Sequence, residues 1–307
     1  TEKKLQTNDI IFKFYNTGFT KESEKIKQCG NYLEFIFKEH QITKENKKKL
    51  ANANFCKNRF CPVCSWRRTR NITGQLKEAF TAIQEKEKIA TLFLTLTVNN
   101  PDVKDLKDTI AKMNKAFKRM SETKRFKNAI LGYFKSIEIL GDKTPKGQAH
   151  PHFHILLVVK ESYFKKSDYI NQKEFLQMWR DATRNQNITQ VDVRRIKSKN
   201  ENFSDIDSAI AETVKYSVKH SDLCKRTNED FYYLYTQTKN LRFISAGGIL
   251  KDHLNLIKID EDLINLKKEN EALWIEICRL IYTWQNGDYQ LKEIKPPKEQ
   301  KMEKEIL

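Results

Sequence analysis

Between Gln148 and Lys160 the chain reads Q-A-H-P-H-F-H-I-L-L-V-V-K, and no other stretch constrains the fold as tightly. His150, His152 and His154 alternate, and five apolar residues, Ile155 to Val159, follow without a break. On a strand, alternate side chains share a face, so the pattern sets imidazoles side by side at the mouth of a buried strand. Pro151 is compatible with that, because proline can open a strand or lie on its edge. The plain alternative is an edge strand with exposed histidines. Half of the chain's six histidines fall in these five positions, and paired imidazoles on one face point to a metal site.

A second stretch, Ser204 to His220, predicts a helix capped by Asp205 with an apolar stripe of Ile206, Ile210, Val214 and Ser217 or Val218. Glu212 and Tyr216 are four apart and Lys219 follows three later, so all three share the opposite face. Taken alone, Tyr216 reads as a half-buried aromatic, and Glu212 as a surface carboxylate paired with Lys215 or Lys219. Beside a two-histidine strand, a tyrosine nucleophile with a carboxylate and a lysine is equipment for phosphoryl transfer.

The balance of 57 basic against 40 acidic residues, a formal charge of +17, points to a polyanionic partner, with nucleic acid the default. No run approaches the length of a membrane span, and the N-terminus does not resemble a signal peptide. Three of the six cysteines lie within nine residues, which does not suggest a secreted disulfide framework. A reducing cytoplasm fits better. Cys56, Cys61 and Cys64 have the close spacing of a zinc knuckle. Cys29 is the natural fourth ligand and His40 its competitor. Four protein ligands make a closed, structural Zn2+ site; buried free thiols are the alternative.

The spacing of apolar residues divides the chain further. Residues 1–24 read as a loose leader with an apolar patch from Ile10 to Tyr15, and 25–88 as a cysteine module followed by a basic helix from Trp66 to about Ile83. Arg67, Arg68 and Arg70 on that helix are candidate phosphate contacts, as are Arg194, Arg195 and Lys197 further on. Residues 89–224 alternate strands (Thr91–Val98, Tyr133–Leu140, the histidine strand, Thr189–Ile196) with helices (Val103–Met120, Gln172–Thr183, the Glu-Tyr helix). That order predicts an α+β fold, an antiparallel sheet with flanking helices. Glu138, on the strand preceding the histidines, is brought opposite them by a hairpin through the turn 141–147 and is the third metal ligand. Residues 225–285 read as an aromatic and helical C-terminal region with a long helix from Glu261 to Trp284, and 286–307 as a charged, disordered tail.

These motifs resemble those of the HUH endonucleases and, more narrowly, the replication initiator (Rep) proteins of rolling-circle plasmids of Gram-positive bacteria. The resemblance runs through C-G-N-Y-L-E-F (29–35), N-F-C-K-N-R-F-C-P-V-C-S-W-R-R (54–68) and F-L-T-L-T-V-N-N (93–100). It continues through S-I-E-I (136–139), H-P-H-F-H-I-L-L (150–157), E-T-V-K-Y-S-V-K (212–219) and L-R-F-I-S-A-G-G (241–248). It implies a ferredoxin-like sheet with the metal strand central, and Mn2+ or Mg2+ held by His152, His154 and an acidic ligand in the Glu138 strand. It further implies Tyr216 attacking origin DNA, single-stranded or extruded, to give a 5′-phosphotyrosine and a 3′-hydroxyl primer. Lys219 lowers the tyrosine pKa or clamps the phosphate, and Glu212 activates water at termination. Host helicase and DNA polymerase are the implied partners, with a homodimer as a further candidate. An HUH transposase or relaxase, or a non-enzymatic zinc repressor, are the rival readings; covalent protein–DNA adducts separate the last from the rest.

Overall fold

The computed structural model describes residues 1–165, 168–195, 197, 204–214, 219–254, 263–264 and 273–298. The chain begins with three helices, α1 (Glu2–Leu5), α2 (Thr7–Asn16) and α3 (Thr20–Gln28). The hairpin β1 (Tyr32–His40) and β2 (Asn46–Ala53) follows, then the long helix α4 (Pro62–Gln84). Next come β3 (Ile89–Thr97), α5 (Leu106–Glu122), α6 (Lys124–Ala129), β4 (Gly132–Glu138) and β5 (His152–Lys160). After them run α7 (Gln172–Thr183), β6 (Asp192–Arg194), α8 (Asp205–Thr213), α9 (His220–Cys224) and α10 (Asn228–Thr238). The described elements end with β7 (Ile244–Gly248), α11 (Ile249–His253), β8 (Trp274–Gln285) and β9 (Asp288–Lys295).

The fold is α+β, with two antiparallel sheets and flanking helices. The larger sheet has the order β6-β3-β5-β4-β7, so the histidine strand is central. Its period of two sorts the core. Phe153, Ile155, Leu157 and Val159 face one apolar layer with Ile110, Met113, Phe117 and Trp179 from α5 and α7. Leu156 and Val158 face another with Ile72, Leu76 and Phe80 of α4 and Ile210 of α8. His152 and His154 share that second face. No described helix is long and apolar enough to cross a membrane.

Three expectations need correction. Residues 1–24 are not a loose leader: α2 and α3 bury Ile10, Phe14 and Ile26 completely. The polar composition of this stretch hid an i,i+4 pair whose spacing is enough to dock a short helix. Trp274 to Trp284 is a strand, not the end of a helix, and pairs with β1 on one side and β9 on the other. Apolar residues there do recur at three and four, but W-I-E-I-C-R-L-I-Y-T-W is rich in β-branched and aromatic residues, which pack best on a pleated surface. Nor is the chain beyond Asn286 wholly a disordered tail. Asn286 and Gly287 adopt φ of 51° and 82°, the left-handed pair that a two-residue hairpin turn requires, and β9 folds back onto β8. Positions 261–262, 265–272 and 299–307 of those two expectations lie outside the described residues.

Candidate metal centres

The β4–β5 hairpin sets Glu138 directly across from His152, and Ser136 across from His154. All four side chains therefore point to one face, at the end of the central strand pair. Glu138, His152 and His154 are each less than a tenth exposed. His152 Nε2 lies 3.2 Å and His154 Nε2 2.9 Å from the same carboxylate oxygen, Glu138 Oε2. Burial pushes the Glu138 carboxyl up, but hydrogen bonds and charge from the two rings outweigh it and hold its pKa at about 2. His152 Nδ1 donates to the His150 carbonyl at 2.8 Å, which aims Nε2 inward with its lone pair available once the ring is neutral.

Neighbouring vertices of an octahedron with ligands near 2.1 Å lie about 3 Å apart. The 2.9 and 3.2 Å edges match that spacing, so the donor set fits a small, hard divalent ion. His150 is not part of the trio; its Nδ1 donates to Asn100 Oδ1 at 2.6 Å and the residue precedes β5.

The tyrosine helix differs from expectation. Ser204 rather than Asp205 is the N-cap, in a reciprocal capping box with Asp207, and α8 stops at Thr213. Val214 leaves helical geometry, with ψ at 38°, where two β-branched residues in succession disfavour another turn. Lys219 therefore does not extend α8; it caps α9. Tyr216 lies outside the described residues, as do Lys215, Ser217 and Val218. Thr213 and Lys219, on either side of these positions in sequence, are both held near the trio. Ser136 Oγ donates to the Thr213 carbonyl at 2.7 Å, two positions along β4 from Glu138. Lys219 pairs with Asp142 at 3.1 Å, and that bond and the Glu138 charge hold its ammonium pKa above the ordinary value. Asp142 sits on the 141–147 turn, which is clamped by Arg226 donating to the Pro145 carbonyl at 2.6 Å. Ser136 and Asp142 stood out in the sequence only as members of the S-I-E-I segment and the 141–147 turn, and Arg226 not at all.

Glu212 is half-buried and accepts from Arg194 Nη2 of β6 at 3.1 Å, while Lys215 lies outside the described residues. Arg194 also reaches Asp192, and Arg195 pairs with Asp205 at 3.8 Å. Lys197 is exposed. Arg67 donates to the carbonyls of Leu263 and Ile264. Arg68, 9% exposed, donates to the Lys57 carbonyl at 2.5 Å and so braces the cysteine loop. Arg70 lies over the Trp66 ring, 5.5 Å from its centroid.

The four cysteines converge from the end of α3, the loop before α4 and the first turn of α4. Sγ of Cys29 and Cys64 are 3.4 Å apart, Cys56 and Cys64 3.6 Å, and Cys29 and Cys61 3.7 Å. Thiolates around a tetrahedral ion at about 2.3 Å would sit about 3.8 Å apart, so the cluster is close to that size. Hydrogen bonds from its three neighbours drive the Cys29 thiol far down, and Cys61 and Cys64 are pushed well up by sharing those bonds. Lys4 of α1 is buried against the cluster and donates to the Cys29 carbonyl at 2.7 Å. His40 stands apart: its Nδ1 accepts from the Thr43 amide at 3.1 Å and its ring meets Trp274 edge-on.

An antiparallel sheet carrying a buried two-histidine, one-carboxylate cluster, with a separate four-cysteine cluster, defines an α+β protein with two candidate metal centres. Residues 47–291 match a family described as "Replication protein". A "Protein rep" of Staphylococcus aureus is 36% identical over 243 residues, 78% of this chain and 96% of that protein. Another, of Streptococcus pneumoniae serotype 2, is 32% identical over 257 residues, 81% of this chain and 78% of that protein. A third, of Bacillus sp, is 32% identical over 295 residues, 89% of this chain and 93% of that protein. No solved structure matches the chain. The chain belongs to this family of replication proteins, the plasmid replication initiators of Gram-positive bacteria that its motifs resemble.

Proposed function

We propose that this initiator nicks one strand of the plasmid double-strand origin as an HUH endonuclease, with Tyr216 as nucleophile. The observation that carries the reading is the buried Glu138–His152–His154 trio, with Thr213 and Lys219 fastened beside it. The central position of β5 in a five-stranded antiparallel sheet supports the ferredoxin-like arrangement expected of that class. Mn2+ or Mg2+ held by the three donors supplies Lewis acidity toward the scissile phosphate.

The phenolic oxygen of Tyr216 bonds to phosphorus as the bond to the 3′ oxygen breaks. The products are a 5′-phosphotyrosine and a 3′ oxygen that takes up a proton and primes the host polymerase. The phenol must lose a proton of ordinary pKa about 10, and the Lys219 ammonium favours the phenolate. Glu212 takes the proton from a water at termination, so that the second cut proceeds by hydrolysis. Cys29, Cys56, Cys61 and Cys64 hold a structural Zn2+, with all four positions filled by protein. Origin DNA, host helicase and polymerase are the partners, and a second copy of the chain is a further one.

The test is incubation of the full chain with a single-stranded oligonucleotide spanning the nick site and Mn2+, followed by denaturing electrophoresis. Wild type should form a covalent adduct, and Tyr216→Phe should form none while binding the oligonucleotide normally. An adduct that persists in Tyr216→Phe removes this tyrosine and points to Tyr232 or Tyr233.

A further inference from the structure

Two of the six cysteines, Cys224 and Cys278, stand outside the four-cysteine cluster, and the reaction outlined above uses neither. Cys224 has company. One turn earlier on α9, His220 brings Nε2 to 3.4 Å from Cys224 Sγ, the i,i+4 spacing that sets two ligands on one face of a helix. Asp9 of α2 approaches from the N-terminal layer, its Oδ2 3.9 Å from the same nitrogen. The three donor atoms all lie within 4.8 Å of one another. We propose that Asp9, His220 and Cys224 bind a Zn2+ ion that ties α2 to α9. This site is separate from the Glu138 trio and from the four-cysteine cluster, and it does not rest on the nicking reading.

Geometry is the first argument. Around a tetrahedral zinc, a nitrogen and a sulfur ligand sit about 3.6 Å apart, and a nitrogen and an oxygen about 3.4 Å. The observed edges of 3.4 and 3.9 Å depart from these by about half an ångström or less. Asp9 is the donor that must close, and its exposed side chain can turn to do so. Its backbone is fixed, because the next residue, Ile10, is fully buried, as is Phe14 one turn on. Lys13 of the same helix donates to the Arg226 carbonyl just beyond α9, so the two helices already hold a defined spacing.

Donor chemistry is the second argument. Burial lowers the His220 pKa, so the ring is neutral near pH 7, and its hydrogen bond to the Gln6 backbone leaves Nε2 facing the thiol and the carboxylate. A neutral ring 3.9 Å from a carboxylate is too far for a hydrogen bond and lacks the charge for an ion pair, whereas a cation between the two satisfies both. Burial also pushes the Cys224 thiol up to about 11, so without metal it keeps its proton and meets Nε2 as a weak donor. Zinc replaces that proton, which leaves to solvent, and thiolate and carboxylate together neutralise the ion. The nearby ammonium groups of Lys3 and Lys13 then face a site of no net charge. A thiolate in the set selects Zn2+ over the harder Mn2+ or Mg2+, and the fourth position of the tetrahedron is left for water.

The test is titration of the full chain, as purified, with Co2+, which adopts zinc-like geometry and shows a charge-transfer absorption from the thiolates it binds. Wild type should develop such a band, Cys224→Ser should lose it, and Cys278→Ser, at the other cysteine outside the cluster, should keep it. Asp9→Asn should weaken cobalt binding by at least about tenfold. Added Zn2+ should raise the melting temperature of wild type further than that of Cys224→Ser. Absence of a band in wild type overturns the proposal, and so does a band no weaker in Cys224→Ser, which would come from the four-cysteine cluster. Wild-type affinity in Asp9→Asn overturns it as well, since the ion would then not join α2 to α9. Should Cys224→Ser fail to fold, Asp9→Asn, at an exposed position, decides by the same band.

Discussion

Glu138 makes sense only as the anion between two imidazoles. A carboxyl so deeply buried would ordinarily resist ionisation, yet the rings of His152 and His154 keep it charged down to about pH 2. Its folded pKa is depressed, so in metal-free protein it contributes stability that is present above the unfolded value and is lost as pH falls through the folded one. Glu138→Gln should therefore cost on the order of 1–3 kcal/mol near neutral pH, and the deficit should shrink between about pH 4.5 and 2. Urea melts across that range measure it, and a pH-independent difference would contradict the electrostatic account. The same variant should weaken Mn2+ binding more than about tenfold, with partial recovery of cleavage at high Mn2+. Wild-type affinity at low metal would place the third ligand elsewhere. Glu212 poses the sharper alternative. Its ion pair with Arg194 is half-exposed, and as a structural contact it is worth less than about 1 kcal/mol. If it activates water, Glu212→Gln should nick normally and accumulate the covalent adduct. Nicking and release measured separately on one oligonucleotide decide between the two, and a normal release rate ends the general-base role.

The cysteine module draws its ligands from different elements, with α3 ending in one thiol, a loop carrying two and α4 beginning with another. Binding energy in such a site is folding energy, because the ligands are not together in the unfolded chain. Purified protein should hold one tightly bound zinc, and Cys61→Ser should release it and lower the melting temperature. Full folding with less than a few tenths of an equivalent of metal would show that the thiols are merely buried. Elements also explain what could be read in advance. The histidine hairpin was legible because its chemistry and its period of two agree, and Glu138 followed from the turn that joins the strands. Spacing left Cys29 and His40 both open as the fourth ligand, and it is the approach of the end of α3 to the start of α4 that brings the Cys29 thiol to the other three. The end of α8 was not, since an apolar stripe continues through Val214 and Val218 whether or not the backbone does. The β8–β9 hairpin is hidden in the sequence by apolar residues at helical spacing, even though Asn286-Gly287 is a strong turn signal.

At the scale of the molecule, the larger sheet and the cysteine module are joined by aromatic packing that no local pattern reveals. Phe14 of α2 meets Phe231 and Tyr235 of α10 edge-on at 5.0 and 4.8 Å, and lies 6.4 Å from Phe60, the residue before Cys61. Tertiary contacts between positions 14, 60 and 231 are what turn a polar N-terminal stretch into an integral layer. Phe14 is fully buried, so Phe14→Ala should destabilise the protein by about 3–5 kcal/mol. A loose leader would tolerate the change within about 0.5 kcal/mol. The cavity would open beside Phe60, so zinc should also be lost to a chelator faster than from wild type. Mn2+ affinity should hold, because Glu138, His152 and His154 are set by pairing between β4 and β5 and not by this cluster. Equilibrium melts, chelator kinetics and Mn2+ titration on the same preparation test the three parts together. Unchanged stability and zinc retention would detach the N-terminal helices from the folded unit.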